Sequence, residues 1–132
     1  MDIYIVPCTE EKVWSRDRSK GATAAKDAYT DVRFLAWRRH VEGAGHPWYV
    51  LSTKYGLMAP DDPIPGPYNV TVSAAVSNPG LLDKLREQGQ RVDFSRAERV
   101  YLMEWDRFLP LVNVAVGGAA PVKIMTLQRS RS

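Results

Sequence analysis

The chain is poor in the residues that carry most small-domain chemistries. It has a single cysteine, Cys8, in 132 residues, which excludes an intrachain disulfide or a cysteine-rich metal site and fits a reducing compartment. Its two histidines, His40 and His46, match no common zinc spacing. They read as surface residues, and no metal or cofactor is expected. No segment approaches the roughly 20 continuous apolar residues that a membrane span requires. The opening MDIYIVPC runs straight into a strand-like pattern without the basic region of a signal peptide. A soluble, cytoplasmic protein is the expectation.

An excess of one charge is also absent from most of the chain. The formal net charge is +3, yet residues 1–122 carry fifteen basic and fifteen acidic side chains, and Lys123, Arg129 and Arg131 supply the surplus. Basicity therefore belongs to the C-terminal end, where QRSRS (128–132) reads as a basic tail behind one domain of residues 1–127. KVWSRDRSK (12–20) is the local exception, with four basic residues and one acid. Such a loop suits phosphates, although a solvated loop is the commoner explanation of such a run. The length corresponds to one domain, and 45% apolar with 25% charged residues is a globular composition.

What is present is an alternation of strand and helix patterns. DIYIVPC (2–8) has the β-branched and aromatic content of a buried strand, and residues 9–24 show no periodicity and read as a long loop. Residues 24–42 carry apolar positions at helical spacing, with a break near Thr30 and an end at Gly43 and Gly45. WYVLS (48–52) is a second strand, after which four prolines in ten residues predict a stiff loop. Asn78-Pro79 caps a short helix running to Gly89. RVYLME (99–104), then WDRFLPLVNVAVGG, then PVKIMTL predict strand, helix and strand. The pattern predicts a single three-layer α/β domain with a mainly parallel four-stranded sheet and helices on both faces. In such sheets ligands bind beyond the carboxyl ends of the strands.

Three patches fall at that edge: PCTEEK (7–12), AAKDAY (24–29) and LSTKYGLMAP (51–60), followed by Tyr68. Together they resemble a family of small, mostly uncharacterised bacterial and phage proteins with a strand ending in Pro-Cys, an Ala-x-Asp-x-Tyr segment and the signature Leu-Ser-x-Lys-Tyr-Gly-Leu. That family is distantly similar to the peroxide-stress YaaA proteins and to the core domain of archaeosine synthases, which resemble uracil-DNA glycosylases in architecture. The resemblance implies an α/β fold and chemistry on a nucleobase, with DNA or a nucleotide as partner.

Each residue keeps two readings. Lys54, beside Gly56, holds a phosphate or a departing base, or is a surface lysine before a turn glycine. Asp27 orients water or steadies a sugar cation while Tyr29 stacks on the base, or the two are a capping acid and a core ring. Cys8 is a nucleophile or a small buried residue. Lys12 gains weight from the family pattern. Tyr55 and Tyr68, in loops, offer stacking surfaces, and Trp14 is a further stacking candidate. The leading expectation is N-glycosidic bond hydrolysis, with Asp27, Lys54 and Ser52 catalytic and Cys8, Lys12, Tyr29, Tyr55, Gly56 and Tyr68 binding substrate. The alternatives are a non-catalytic nucleotide or nucleic-acid binding module, and an interaction protein docking through its proline-rich loop.

Overall fold

In the computed structural model, which describes residues 1–127, the chain forms a mixed α/β domain. In chain order the elements are β1 (Asp2–Pro7), β2 (Thr23–Ala24), α1 (Ala25–Ala28), α2 (Val32–Ala44), β3 (Trp48–Ser52), β4 (Gly56–Met58), β5 (Pro63–Ile64), α3 (Val72–Val76), α4 (Pro79–Val92), β6 (Arg99–Met103), α5 (Leu109–Val116) and β7 (Val122–Met125). The main sheet runs β4-β3-β1-β6-β7, and β2 pairs with β5 in a separate ribbon. All neighbours in the main sheet are parallel except β4, which folds back antiparallel on β3. The basic tail of residues 128–132 lies outside the described residues.

The buried strand runs occupy the centre. Ile3, Ile5 and Val6 of β1, Val50 and Leu51 of β3, and Val100, Leu102 and Met103 of β6 are fully enclosed. The helix α2 packs on β1 through buried Phe34, Trp37 and Val41. The helix α4 packs against α5 and β4, presenting Leu81, Leu85 and Gly89. Local chemistry sets the helix ends. The Asn78 side chain accepts from the backbone N–H of Gly80 and Leu81, with Pro79 at the first helical position.

The order matters for function. The chain leaves β1 and goes to β3 on one side, then crosses to β6 on the other side and continues outward to β7. The connections after β1 and β6 thus depart in opposite directions, which opens a crevice at the carboxyl ends of these two neighbouring strands.

Four expectations need correction. The sheet has five strands rather than four, because Gly56 to Met58, read as the start of the proline-rich loop, pairs with Val50 to Ser52. The prolines do not exclude pairing either: Pro63 and Ile64 pair with Ala24 and Thr23, a place at an edge where the missing proline N–H is tolerated. Residues 9–24, expected to be loop throughout, hold a 3-10 turn at Val13–Ser15 and the strand β2. The helix break near Thr30 is real, but where Thr30-Asp31 reads in the sequence as a cap followed by a first-turn acid, the cap is Asp31, whose carboxylate accepts from Arg33 N–H. The segment α3 carried no strong periodic signal and went unread.

The tightest helix contact lies at Gly89, where a Cβ would run into the carbonyl oxygen of Ala115 on α5. Gly89→Ala is therefore expected to cost about 3 kcal/mol, the upper end of ordinary overpacking. Urea denaturation of the variant measures it, and an unchanged midpoint would show that α4 and α5 yield freely.

Candidate functional site at the carboxyl edge of the sheet

The signature at residues 51–57 forms the β3–β4 turn. Ser52 is fully buried, and its hydroxyl oxygen accepts from the backbone N–H of Lys54 (3.1 Å) and Tyr55 (3.0 Å). The same hydroxyl donates to the Tyr68 hydroxyl at 2.9 Å. Gly56 has φ +77°, and the Gln88 side chain stands where its Cβ would be. That amide clamps the turn from α4, accepting from Leu57 N–H (2.8 Å) and donating to the Tyr55 carbonyl (3.0 Å). The close approach permitted by Gly56 is therefore taken by Gln88.

Tyr29 and Tyr68 meet through their hydroxyls at 2.5 Å. Ser52, Tyr68 and Tyr29 thus hold three O–H protons and make two contacts among themselves, so one proton has no partner within the chain of hydroxyls. Tyr29 is 1% exposed, and a buried donor without an acceptor costs about 1–3 kcal/mol. The assignment that avoids this has Ser52 and Tyr29 both donating to Tyr68, which leaves the proton of half-buried Tyr68 on offer outside the trio. Burial above all, with a smaller contribution from Cys8, raises both phenols well above the ordinary tyrosine value. Both rings stay neutral.

Lys12 lies against this trio. It is 6% exposed, with its ammonium 4.5 Å from the Tyr68 ring centroid and 5.8 Å from that of Tyr29. Its backbone is pinned by a bridge to Tyr29 and by Ser15, whose hydroxyl accepts from Lys12 N–H. The ammonium donates to the Glu10 carbonyl at 3.2 Å and has two further N–H bonds to give. Desolvation lowers its pKa, against a smaller upward pull from Cys8 and Glu10. A nearly enclosed cation with donors to spare is costly to keep unless something anionic uses it.

Two cavities flank Lys12. One, about 570 Å³, lies between the 3-10 turn after β1 and the segment Pro67 to Asn69, with Trp14, Ser15 and Arg18 in its wall. The other, about 470 Å³, occupies the crevice between β1 and β6, lined by Cys8, Thr9, Arg33, Thr53, Trp105 and Arg107 among others. Glu10, Lys12 and Asn69 line both. Trp105 reaches the crevice through a sharp turn: Glu104 has φ 50°, a left-handed backbone uncommon outside glycine. Its carboxylate accepts from Leu127 N–H, tying β7 to the same edge. The Arg33 and Arg107 guanidiniums stand 4.6 and 4.2 Å from the Trp105 ring centroid, and buried Trp37 braces that ring edge-on at 4.9 Å.

The structure gathers Cys8, Lys12, Tyr29, Ser52 and Tyr68 at this edge. Cys8 is buried, its thiol 3.9 Å from the Thr53 hydroxyl. Tyr55 packs edge-on against Tyr68 at 5.6 Å. Trp14 is enclosed, with its indole N–H donating to the Lys20 carbonyl at 2.7 Å, so only part of its ring meets the cavity. Tyr29, Ser52, Tyr55 and Gly56 stand behind the cavity walls rather than in them, and two further residues lie in solvent away from the cluster. Asp27 is exposed on α1 and ion-paired with Arg38 at 2.8 Å, and Lys54 is exposed with its ammonium over the Tyr55 ring. Sequence reasoning missed Asn69, Gln88, Trp105 and Arg107. The strand-end rule that singled out residues after β1 and β3 applies equally after β6 and would have found Trp105 and Arg107. Among the described residues no helix is long and apolar enough to cross a membrane, and no three His, Cys, Asp or Glu residues cluster for a metal.

Residues 3–94 match the model of a family described as a family of unknown function (DUF6884). The chain is also 29% identical over 115 residues, covering 87% of its own length and 77% of the relative's, to the uncharacterized protein YfjM of Bacillus subtilis (strain 168). No solved structure matches. The family match spans the Lys12, Tyr29, Ser52 and Tyr68 cluster and ends before Trp105.

Ser52→Ala removes the acceptor of two turn N–H groups and a donor to Tyr68. We expect a loss of about 2 kcal/mol, the cost of buried polar groups left unpaired, in urea denaturation with an unchanged denaturant slope. A loss below about 0.5 kcal/mol would show that the turn does not depend on this hydroxyl.

Proposed function

We propose that this chain, which belongs to the DUF6884 family of unknown function, binds a nucleotide or a segment of nucleic acid at the carboxyl edge of its sheet. The observation that carries the reading is the Lys12 ammonium, nearly enclosed yet with N–H bonds left to give, in the wall of both cavities. A phosphate or an electron-rich base would take those bonds, and the free proton of Tyr68 adds a second donor beside them. Cavities of this size hold ligands of nucleotide dimensions. Tyr68, Tyr29 and the signature turn then act as one rigid backing for Lys12. The reading assumes a doubly wound layering, α2 on one face and α4 with α5 on the other, as right-handed crossovers in both directions from β1 require. The resemblance to nucleobase-processing families supports the same ligand class.

A hydrolytic form of this reading has one observation in its favour. Glu10 lines both cavities beside Lys12, and a carboxylate there would hold water against a sugar carbon whose bond to the base is breaking. In that reaction Lys12 and Tyr68 would bear the charge of the departing base. Asp27 can serve the same end only by exchanging Arg38 for substrate, and Lys54 only by turning away from Tyr55.

Lys12→Met is expected to weaken binding of deoxyadenosine monophosphate at least tenfold by calorimetry, or about 1.4 kcal/mol, while the melting temperature stays level or rises because a desolvated charge is removed. Unchanged affinity would refute the reading. Because Lys12 must be protonated to bind an anion and its pKa is lowered, affinity should fall as pH rises, with a midpoint below the ordinary lysine value of about 10.4. For hydrolysis, modified and unmodified DNA incubated with the protein should yield free base by mass spectrometry, and Glu10→Gln should abolish it. Absence of release with binding intact would leave a binding module.

A further inference from the structure

We infer that the two cavities are half-sites for a single ligand, a phosphodiester-linked dinucleotide, with Lys12 on the linking phosphate. This deepens the nucleotide reading and rests on it. The cavities share Glu10, Lys12 and Asn69, so Lys12 stands at the waist of one two-lobed cleft. Each lobe outside that waist repeats the same chemistry, one indole and one unpaired guanidinium. The first has Trp14 and Arg18, and the second has Trp105 and Arg107.

Charge pairing isolates the cations that matter. Arg33 is forked onto Asp31, Nε to Oδ1 at 3.0 Å and Nη2 to Oδ2 at 2.8 Å, so its charge is answered within the protein. Glu11 faces Arg16 at 3.6 Å. Arg18, Lys12 and Arg107 have no carboxylate partner among the described residues. Glu10 is then the only unanswered acid of the two walls, and three cations stand against it in the order end, waist, end. A mononucleotide fills one lobe and leaves the far guanidinium idle. A ligand with two bases and a phosphate between them uses both lobes, because one base meets Arg18 beside the open part of Trp14 and the other meets the Arg107 guanidinium that already lies on Trp105.

The dinucleotide can be free or a step within a single strand, since the cleft chemistry is the same. Calorimetric titrations with thymidine monophosphate, the dinucleotide dTpdT and a longer oligothymidylate separate the cases. The dinucleotide should bind about tenfold more tightly than the mononucleotide, the factor that one added base stack supplies. Arg107→Ala should abolish the roughly tenfold advantage of the dinucleotide over the mononucleotide, both measured on the same variant. A further gain with the oligothymidylate identifies a strand, and no further gain a free dinucleotide; either result supports the two-lobed site. Equal affinity for mononucleotide and dinucleotide, or an Arg107→Ala protein that still prefers the dinucleotide, overturns the half-site inference and leaves the nucleotide reading standing. Failure of all three to bind overturns both.

Discussion

The molecule's distinctive constraint is a lysine ammonium enclosed against two phenol rings with a single backbone carbonyl to satisfy it. Enclosing a cation this way opposes folding, because desolvation penalises the charged form. The surrounding structure offsets it piecemeal: the π faces of Tyr68 and Tyr29, the Glu10 carbonyl, and a backbone pinned by Tyr29 and Ser15. None of these uses all the donors. A core lysine kept only for packing would snorkel to water or be replaced by an apolar chain of similar volume. Lys12 instead faces two cavities.

The backing of Lys12 is built from far apart in the sequence. The Ser52 hydroxyl closes the β3–β4 turn and holds Tyr68, and Tyr68 meets Tyr29. Gln88, on α4, fixes the turn from behind. Three segments therefore converge on the underside of one side chain, and changes in the turn should reach Lys12 through Tyr68 rather than by direct contact. Rigidity of that kind lets a few donors discriminate a ligand, because little ordering remains to be done on binding. The left-handed Glu104 plays a comparable part on the other side of the crevice, turning the chain so that Trp105 faces Cys8 and Thr9 across it.

Much of the fold was legible because burial writes itself into composition. The parallel strands β1, β3, β6 and β7 are short apolar runs, and Asn78-Pro79 announces α4. The strand β4 was not legible, since its three residues are indistinguishable from the head of a proline-rich loop until Val50 to Ser52 are seen opposite them. The site was half legible. Strand-end logic located Cys8, Lys12 and Ser52, and it brought Tyr68 in through the loop that follows. It placed Lys54 and Asp27 above Lys12, as catalytic residues, because spacing alone does not tell which lysine a turn throws outward. Ser52 Oγ binds the N–H of Lys54 itself, and that turn leaves the Lys54 side chain in solvent. Gln88 carried no local signal of its own, since it acts on a turn more than thirty residues away in sequence.

The most direct test is a crystal structure of the protein soaked with a nucleotide. The account predicts ligand density in the cleft with a phosphate oxygen or base acceptor within hydrogen-bond reach of Lys12 Nζ, and the side chains of Tyr29, Ser52 and Tyr68 unmoved behind it. Ligand seated elsewhere, such as the hollow between α4 and α5 near Gly89, with the Lys12 ammonium turned inward onto protein oxygens, would contradict it.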